Sequence, residues 1–237
     1  MGSDLSAKIC IVTGASEGTG KAIAGALVQA GNRVVYVSRS LEKLQRAVKE
    51  LGAGSERAEV YAADMTDPAQ VNRCIHTVLE QYERIDVLVN NLGGGLRRTL
   101  IETSDSEWQH LIQLNLSSAF YACRAVLPVM RRQRSGWIIN IASRAGRRGE
   151  GDFAAYSAAK FGLMGLTQAL ADSEGAFGIR VNAICSGPIA TERMKAQHPQ
   201  ADLSGWNKPQ EVAEAVLFLL SPAAHAMQGQ SIDLFEE

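Results

Sequence analysis

A tyrosine and a lysine four residues apart are the pair in this sequence best suited to moving a proton. Tyr156 and Lys160 open a helical pattern, and residues four apart on a helix share one face. A phenol has an ordinary pKa of about 10, and a nearby ammonium group favours its ionised form. We therefore expect Lys160 to lower the pKa of Tyr156, so that the phenol exchanges a proton with a carbonyl or alcohol oxygen near neutral pH. A surface tyrosine beside a solvated lysine is the alternative.

The position of the pair in the chain strengthens this interpretation. Ser143 follows the predicted strand Trp137–Ile141, and parallel sheets bind ligands at the carboxyl ends of their strands. A serine hydroxyl at that edge is able to stabilise the substrate oxygen while charge develops on it. The three side chains together predict acid–base chemistry on a carbonyl or a secondary alcohol.

The turn after the first predicted strand is suited to a dinucleotide. It reads TGASEGTG at residues 13–20, with the spacing G-x-x-x-G-x-G rather than the more general G-x-G-x-x-G. Glycines allow a tight turn and let backbone N–H groups and a helix N-terminus approach a pyrophosphate. A glycine-rich connector without a ligand is the alternative. The predicted cofactor contacts in this turn are Gly14, Ser16, Gly18, Thr19 and Gly20.

The residues after the second predicted strand bear on which nucleotide binds. An NAD site usually places an acid there for the ribose hydroxyls, but no acid occurs before Glu42. A guanidinium at Arg39, with the Ser38 hydroxyl, suits a 2′-phosphate better. Arg39 as a solvated residue is the alternative, and Glu17 in the glycine turn does not favour a phosphate. We predict NADP (NADPH) as cofactor, with NAD second.

The elements that must position these residues alternate between strand and helix. Strands that read as continuous apolar runs, each separated by a helix, predict a parallel sheet covered on both faces. The expected fold is α/β, a single doubly wound Rossmann-type domain over residues 1–237. The predicted strands are Lys8–Thr13, Arg33–Val37, Val60–Ala63, Ile85–Val89, Trp137–Ile141 and Arg180–Ile184. The predicted helices are Ala22–Ala30, Leu41–Leu51, Asp67–Glu83, Ser106–Arg132, Tyr156–Gly175 and Pro209–Leu220.

Composition excludes several other classes of protein. Of 237 residues, 46% are hydrophobic and 21% charged, as expected of a globular chain and not of a disordered or collagen-like one. The 24 basic and 25 acidic residues nearly balance, so no overall field favours nucleic acid or anionic lipid as partner.

The four cysteines are scattered, without metal-ligand spacing. We therefore expect no metal site, and we expect free thiols in the cytoplasm. No apolar run is long enough to predict a membrane span. Residues 1–6 fit a loose myristoylation pattern, which we attribute to chance.

Several motifs occur in the order typical of one family. They are the turn at 13–20, Asn90–Gly93, Asn115, Ser143, Tyr156 with Lys160, and Ser186–Thr191. In these motifs the chain resembles the short-chain dehydrogenase/reductase family, and the likeness covers nearly the whole sequence.

The resemblance implies a role for each matching residue. Tyr156 would be the acid/base, Ser143 would orient the substrate oxygen, and Lys160 would lower the pKa of the tyrosine and hold the nicotinamide ribose. Asn115 would join a proton relay through water. The further cofactor contacts it implies are Asp64 and Met65 at the adenine end, Asn90 near the ribose, Ile189 and Thr191 near the carboxamide, and Arg39 at the position that selects NADP.

The chain departs from the family pattern at four places. Leu92 stands where an alanine is usual, and Ser186 replaces the usual proline before Gly187. The substrate lid, residues 190–207, is short, and no glycine pair follows Asp233 near the C-terminus. These departures do not change the predicted reaction class, but they make the substrate and the cofactor geometry harder to predict from the sequence.

Arginines flank the expected pocket and suggest a substrate class. They are Arg97, Arg98, Arg144, Arg147 and Arg148, with Arg131, Arg132 and Arg134 at a helix end, where cations suit the dipole. Solubility and helix capping are one interpretation, and attraction of an anionic substrate or an acidic carrier protein is the other. The chain looks like the 3-oxoacyl-[acyl-carrier-protein] reductases of fatty-acid synthesis, so we hypothesise an NADPH-dependent reduction of a 3-oxoacyl thioester or related small-molecule carbonyl.

Two other functions fit the same residues. One is an NAD-dependent secondary-alcohol or sugar dehydrogenase, and the other is a non-catalytic NADPH-binding sensor or scaffold. Two of the predicted helices, Ser106–Arg132 and Tyr156–Gly175, carry more apolar residues than one buried face requires. We therefore expect a homotetramer or homodimer, as is common in the family.

Overall fold

The strands of the computed structural model, which describes residues 8–235, form one sheet. They are β1 Ile9–Thr13, β2 Arg33–Ser38, β3 Ala58–Ala62, β4 Val87–Asn90, β5 Gly136–Ile141, β6 Ile179–Ser186 and β7 Ser231–Leu234. Within the described residues their order is β3-β2-β1-β4-β5-β6-β7, and every neighbouring pair is parallel. The doubly wound parallel sheet predicted from the sequence is thus confirmed.

The helices cover both faces of this sheet. They are α1 Gly18–Gln29, α2 Leu41–Lys49, α3 Pro68–Tyr82, α4 Asp105–Ile112, α5 Ser118–Gln133, α6 Ala154–Glu174, α7 Glu192–Gln197 and α8 Pro209–Leu220. One apolar cluster packs α1 and α8 against the sheet, and a second packs α3 and α5 against its other face. Because the chain reverses its winding between β1 and β4, a crevice opens beyond the carboxyl ends of these two strands.

Several boundaries differ from the sequence prediction. The first helix begins at Gly18 rather than Ala22, because the glycine turn is short and leads directly into it. The helix predicted over Ser106–Arg132 contains a π-helical turn at Gln113–Ser117, where the backbone hydrogen-bond register changes. The short strand β7 and the short helix α7 were not predicted.

Local sequence explains where the helices near the site begin. The Ser40 hydroxyl accepts a hydrogen bond from the Lys43 amide and caps α2. The Asp67 carboxylate accepts from two backbone amides ahead of α3, whose first residue is Pro68. These caps hold the starts of α2 and α3 beside the carboxyl ends of β2 and β3.

Three further sequence expectations concern the cysteines, membrane-spanning helices and the N-terminal residues. The four cysteines are buried and free of disulfides. No helix within residues 8–235 is long and apolar enough to cross a membrane. The residues carrying the myristoylation pattern lie outside the part of the chain that the structure describes.

Candidate active site

The loop after β4 brings the candidate catalytic residues together. A methyl group placed on Gly93 would lie 2.7 Å from the Asn115 amide oxygen and 3.3 Å from Nζ of Lys160. A methyl group on Gly95 would lie 3.8 Å from Cδ1 of Tyr156. The glycine run at 93–95 therefore lets the backbone pass closely over three side chains from two different helices.

Asn115 anchors this loop from the π-helical turn. Its Nδ2 donates to the backbone oxygens of Gly94 (2.9 Å) and Leu111 (3.0 Å), and its Oδ1 accepts from the Gly94 amide (3.0 Å). The side chain is only 1% exposed. Since π-helical turns are frequent at functional sites, this one marks the place where α4 and α5 meet the cleft. Two of its three hydrogen bonds thus hold the loop, and the third joins the side chain to α4.

Lys160 lies on α6, deep below the loop. It is 3% exposed, and its Nζ donates to the Ile141 oxygen at 2.9 Å. No carboxylate is paired with it within residues 8–235. Burial lowers the pKa of Lys160 from 10.5 to about 8, because the charged ammonium loses its water. The amine is thus still charged at neutral pH, although less stably than in water.

Tyr156 lies one turn before Lys160 on the same face of α6. Nζ of the lysine is 5.7 Å from the centre of the phenol ring, which also meets the Phe153 ring edge-to-face. Burial raises the pKa of Tyr156, and a hydrogen bond with the Ser143 hydroxyl acts in the opposite direction. The net direction is therefore opposite to the lowered pKa expected from the sequence, and burial is the largest cause.

Ser143 stands where β5 ends and a short 3₁₀ turn begins. Its hydroxyl accepts a hydrogen bond from the Ala145 amide at 3.2 Å and reaches Tyr156 across the cleft. The strand edge thus carries the serine, and α6 carries the tyrosine and the lysine. The structure brings all four predicted catalytic residues, Asn115 included, into one group.

The glycine turn has the shape expected of a phosphate cradle. Gly14 and Gly18 have φ values of 66° and 55°, a region that other residues rarely adopt. A side chain on Gly20 would overlap the Gly14 carbonyl oxygen. α1 begins at Gly18 without a side-chain cap, so its first amides are not satisfied by a capping side chain. The half-buried Ser16 and Thr19 border the same turn.

Ser38 is the last residue of β2, Arg39 follows it, and both lie beside the glycine turn. The Ser38 Oγ is buried and has no hydrogen-bond partner among the described residues. Arg39 is exposed and forms no ion pair with any residue between 8 and 235. Lys43, on the first turn of α2, pairs with Glu17 at 3.0 Å. An unpartnered hydroxyl and a free guanidinium fit a 2′-phosphate, so the residues present suit NADP.

The residues expected near the adenine and the ribose lie in different environments. Asp64 is half-buried and accepts from the Thr66 amide (2.9 Å) and hydroxyl (2.7 Å), which shapes the loop after β3. Met65 is 2% exposed, and its side chain packs in the core. Asn90 donates to the Asn140 oxygen at 2.9 Å inside the sheet, and its side chain is not directed to the cleft.

The segment after β6 closes the other side of the cleft. Thr191 caps α7, accepting from the Met194 amide at 3.3 Å, and its methyl group would lie 3.1 Å from a methyl placed on Gly18. Ile189 pairs with Asn207 and packs against the core. Thr191 therefore faces the phosphate cradle directly, and Ile189 supports it from behind.

Sequence reasoning missed two residues that build the cleft. Thr13 Oγ1 accepts hydrogen bonds from the amides of Asn91 (3.0 Å) and Leu92 (3.1 Å). The Asn91 amide group donates to the Thr13 oxygen at 3.0 Å and to the Gly14 oxygen at 3.3 Å. Together they clamp the β1 and β4 loops. The clue in the sequence was a second asparagine beside Asn90 in the same motif.

The unusual Leu92 does not crowd this clamp. Its side chain packs against the apolar cluster formed by strands β1, β2 and β5 with helices α3 and α5. Alanine is therefore not required at this position for the cleft to stay open.

Most of the arginines flanking the pocket are already paired. Arg131 makes a two-point ion pair with Glu174, and Arg134 lies over the Phe177 ring. The other pairs are Arg97 with Asp152, Arg98 with Glu107, Arg144 with Glu150 and Arg147 with Asp233. These pairs favour the structural interpretation for those arginines.

Comparison with known proteins fits the same arrangement. The sequence profile of the family described as short chain dehydrogenase matches residues 8–202, which is most of the chain. The chain belongs to the short-chain dehydrogenase/reductase family. It is therefore an oxidoreductase, and the family implies a nicotinamide cofactor.

Relatives and solved structures agree over nearly full length. A 3-oxoacyl-[acyl-carrier-protein] reductase from Synechocystis is 37% identical, covering 97% of this chain and 96% of its own. The reductase FabG of Escherichia coli K12, of the same name, is 36% identical, covering 95% and 94%. A Burkholderia xenovorans structure assigned to the short-chain dehydrogenases/reductases is 29% identical, with a TM-score of 0.92 and coverage of 98% and 96%.

Proposed function

We propose that this protein is an NADPH-dependent reductase that converts a ketone to a secondary alcohol. The observation that carries the proposal is the meeting of Tyr156, Lys160 and Ser143 under the 93–95 loop, beside the glycine turn. The nicotinamide supplies a hydride to the carbonyl carbon when it is bound. The chain's own residues orient the ketone and deliver the proton.

The raised pKa of Tyr156 favours the reductive direction. At neutral pH the phenol is protonated, so it can donate to the oxygen of a carbonyl that is taking up a hydride. The bond between the phenolic oxygen and its proton breaks, and an O–H bond forms on the new alcohol. Ser143 holds the substrate oxygen through a second hydrogen bond while charge develops. The charged Lys160 stabilises the phenolate that remains.

Two further roles complete the proposal for the catalytic group. Lys160 also holds the nicotinamide ribose, and Asn115 belongs to a water-mediated relay that returns the proton to Tyr156. The hydrogen bonds from Asn115 to Gly94 support a positioning role as well, because they fix the loop above the reacting groups.

The choice of NADP over NAD is supported by the end of β2. The unpartnered Ser38 hydroxyl and the free Arg39 guanidinium together offer a hydrogen bond and a positive charge to a 2′-phosphate. Gly14, Ser16, Gly18, Thr19 and Gly20 are proposed to hold the pyrophosphate. Asp64, Met65, Asn90, Ile189 and Thr191 are proposed to contact the rest of the cofactor, Met65 and Asn90 through their backbones.

A 3-oxoacyl thioester is the substrate that the relatives favour. Both curated relatives are named for reduction of 3-oxoacyl groups on acyl carrier protein, and they match this chain from end to end. An acidic carrier protein would be attracted by the arginines that have no ion pair within residues 8–235, Arg132 and Arg148. A free thioester is expected to react as well, since the catalytic group does not depend on the carrier.

We also propose that the protein works in the cytoplasm as a homotetramer or homodimer, with residues 190–207 as a lid. Phe120 on α5 and Phe161 on α6 are 41% and 46% exposed, which supports contact of these helices with a second copy. Light scattering coupled to gel filtration tests the oligomer, and a monomer at micromolar concentration would contradict it.

Oxidation of nicotinamide measured over a panel of carbonyls tests the function. We expect acetoacetyl thioesters to be reduced with NADPH and more slowly with NADH, and Tyr156→Phe to abolish turnover while NADPH still binds. Activity with NAD on alcohols or sugars alone would favour a dehydrogenase. NADPH binding without tyrosine-dependent turnover would favour a sensor. Turnover of simple ketones without thioesters would reject the acyl substrate only.

A further inference from the structure

Arg193 extends from the lid helix toward the catalytic loop. It is the second residue of α7, and its Nη2 would lie 4.0 Å from a methyl group placed on Gly94. Gly94 is the residue whose amide and carbonyl are both bonded to Asn115. A methyl on the next residue, Gly95, would touch Tyr156. The guanidinium therefore lies next to Gly94, one residue from the part of the loop that contacts Tyr156.

The charge of Arg193 is not neutralised by the protein. Its neighbour Glu192 pairs instead with Lys195 at 2.8 Å, and Arg193 has no ion pair with any residue between 8 and 235. Four of the five arginines around the pocket, by contrast, are held by carboxylates. Arg193 is exposed, and an exposed guanidinium beside this loop without an acid partner is available to a ligand.

The geometry points to Arg193 as a specificity residue that binds a carboxylate on the substrate. We infer that the protein also reduces ketones that carry a free carboxylate a few carbons from the reacting carbonyl, and that Arg193 makes it favour these acids over their uncharged esters. The inference rests on the proposed function, because it assumes that the ketone lies beside Tyr156. It does not depend on a carrier protein.

Matched pairs of ketones separate this charge effect from other effects. We would measure kcat and KM with NADPH for acetoacetate against methyl acetoacetate, and for 4-oxopentanoate against its methyl ester. In Arg193→Gln, kcat/KM for each acid should fall about 10- to 100-fold relative to its ester, the size expected for one hydrogen-bonded charge pair. Arg193→Lys should recover part of the loss. Arg73→Gln, which removes the same charge from an exposed position on α3, should change neither substrate.

The possible results separate a failure of this inference from a failure of the proposed function. Equal losses for acid and ester would overturn the inference, since they would indicate a general effect on the lid. A loss confined to NADPH affinity, measured by fluorescence titration, would also overturn it and assign Arg193 to the cofactor. If the unaltered protein reduces no ketone or thioester in the panel, the proposed function itself is wrong, whatever Arg193 does.

Discussion

Replacing the buried lysine should stabilise the protein while removing its activity. Lys160 is 3% exposed, and burial lowers its pKa from 10.5 to about 8. Each pKa unit corresponds to about 1.4 kcal/mol, so holding the charged amine in the folded state at pH 7 costs roughly 3 kcal/mol of unfolding free energy. Lys160→Met keeps the length of the side chain and removes this cost. It also loses the hydrogen bond to the Ile141 oxygen, worth about 1 kcal/mol.

The net gain should be about 2 kcal/mol at pH 7, and it should depend on pH with a definite sign. Between pH 8 and 10.5 the unfolded chain still binds the proton of Lys160, whereas the folded chain has released it. The stability of the unaltered protein contributed by this residue therefore rises with pH across that window. At pH 9.5 the remaining cost is about 1 kcal/mol, which the lost hydrogen bond cancels.

Urea unfolding at pH 7 and pH 9.5 measures both quantities. The variant should be the more stable protein at pH 7 and equal to the parent at pH 9.5. Lys49→Met, at an exposed position on α2, is the matched control and should change stability by less than about 0.5 kcal/mol at either pH. A variant that is less stable than the parent by the same amount at both pH values would refute the reasoning, because no desolvation cost would then exist.

Three further substitutions test the remaining parts of the site. Tyr156→Phe should lower turnover about 10²- to 10⁴-fold in an NADPH-oxidation assay while leaving NADPH binding unchanged, and equal weakening of binding would argue for a structural role. Glu17→Gln releases Lys43, at the start of α2, from its ion pair, so it should tighten NADPH up to about fivefold in a fluorescence titration and NADH by less. Equal tightening of both would contradict a 2′-phosphate effect. Gly20→Ala would push a methyl group into the Gly14 carbonyl and should cost about 1–3 kcal/mol in urea unfolding, whereas Gly165→Ala, which meets no atom within 4 Å, should cost nothing.

The sequence predicted the sheet well because each strand carries its own signal. Six of the seven strands observed in residues 8–235 appear as apolar runs bounded by glycines or polar residues. β7, with the sequence SIDL, is too short and too polar to predict alone, and it forms by pairing with β6. Its register depends on contacts with residues about 45 positions away, such as the bond from the Gly229 amide to the Val181 oxygen.

The candidate site was predictable in its residue types but not in its local geometry. Motif spacing identified Ser143, Tyr156 and Lys160, yet the π-helical turn holding Asn115 is invisible in a pattern of apolar residues. Asn115 lies in that turn, and its side chain accepts a hydrogen bond from the backbone amide of Gly94, 21 residues earlier in the chain. A contact so distant in the chain is a tertiary effect, and helical periodicity carries no information about it.

The direction in which the pKa of Tyr156 shifts depends on burial and on the state of the neighbouring lysine. A charged Lys160, whose Nζ lies 5.7 Å from the centre of the phenol ring, should attract a phenolate, which argues for a lowered pKa. Lys160 itself titrates at about 8, however, so it has become neutral before the buried phenol reaches its own raised pKa. The ammonium therefore gives little help to a resting phenolate formed at high pH. At neutral pH it is charged, and it can stabilise the phenolate that exists only while Tyr156 gives its proton to the substrate. In the proposed mechanism the pair would thus favour the transient ion over the resting one, and a difference of that kind lowers a reaction barrier.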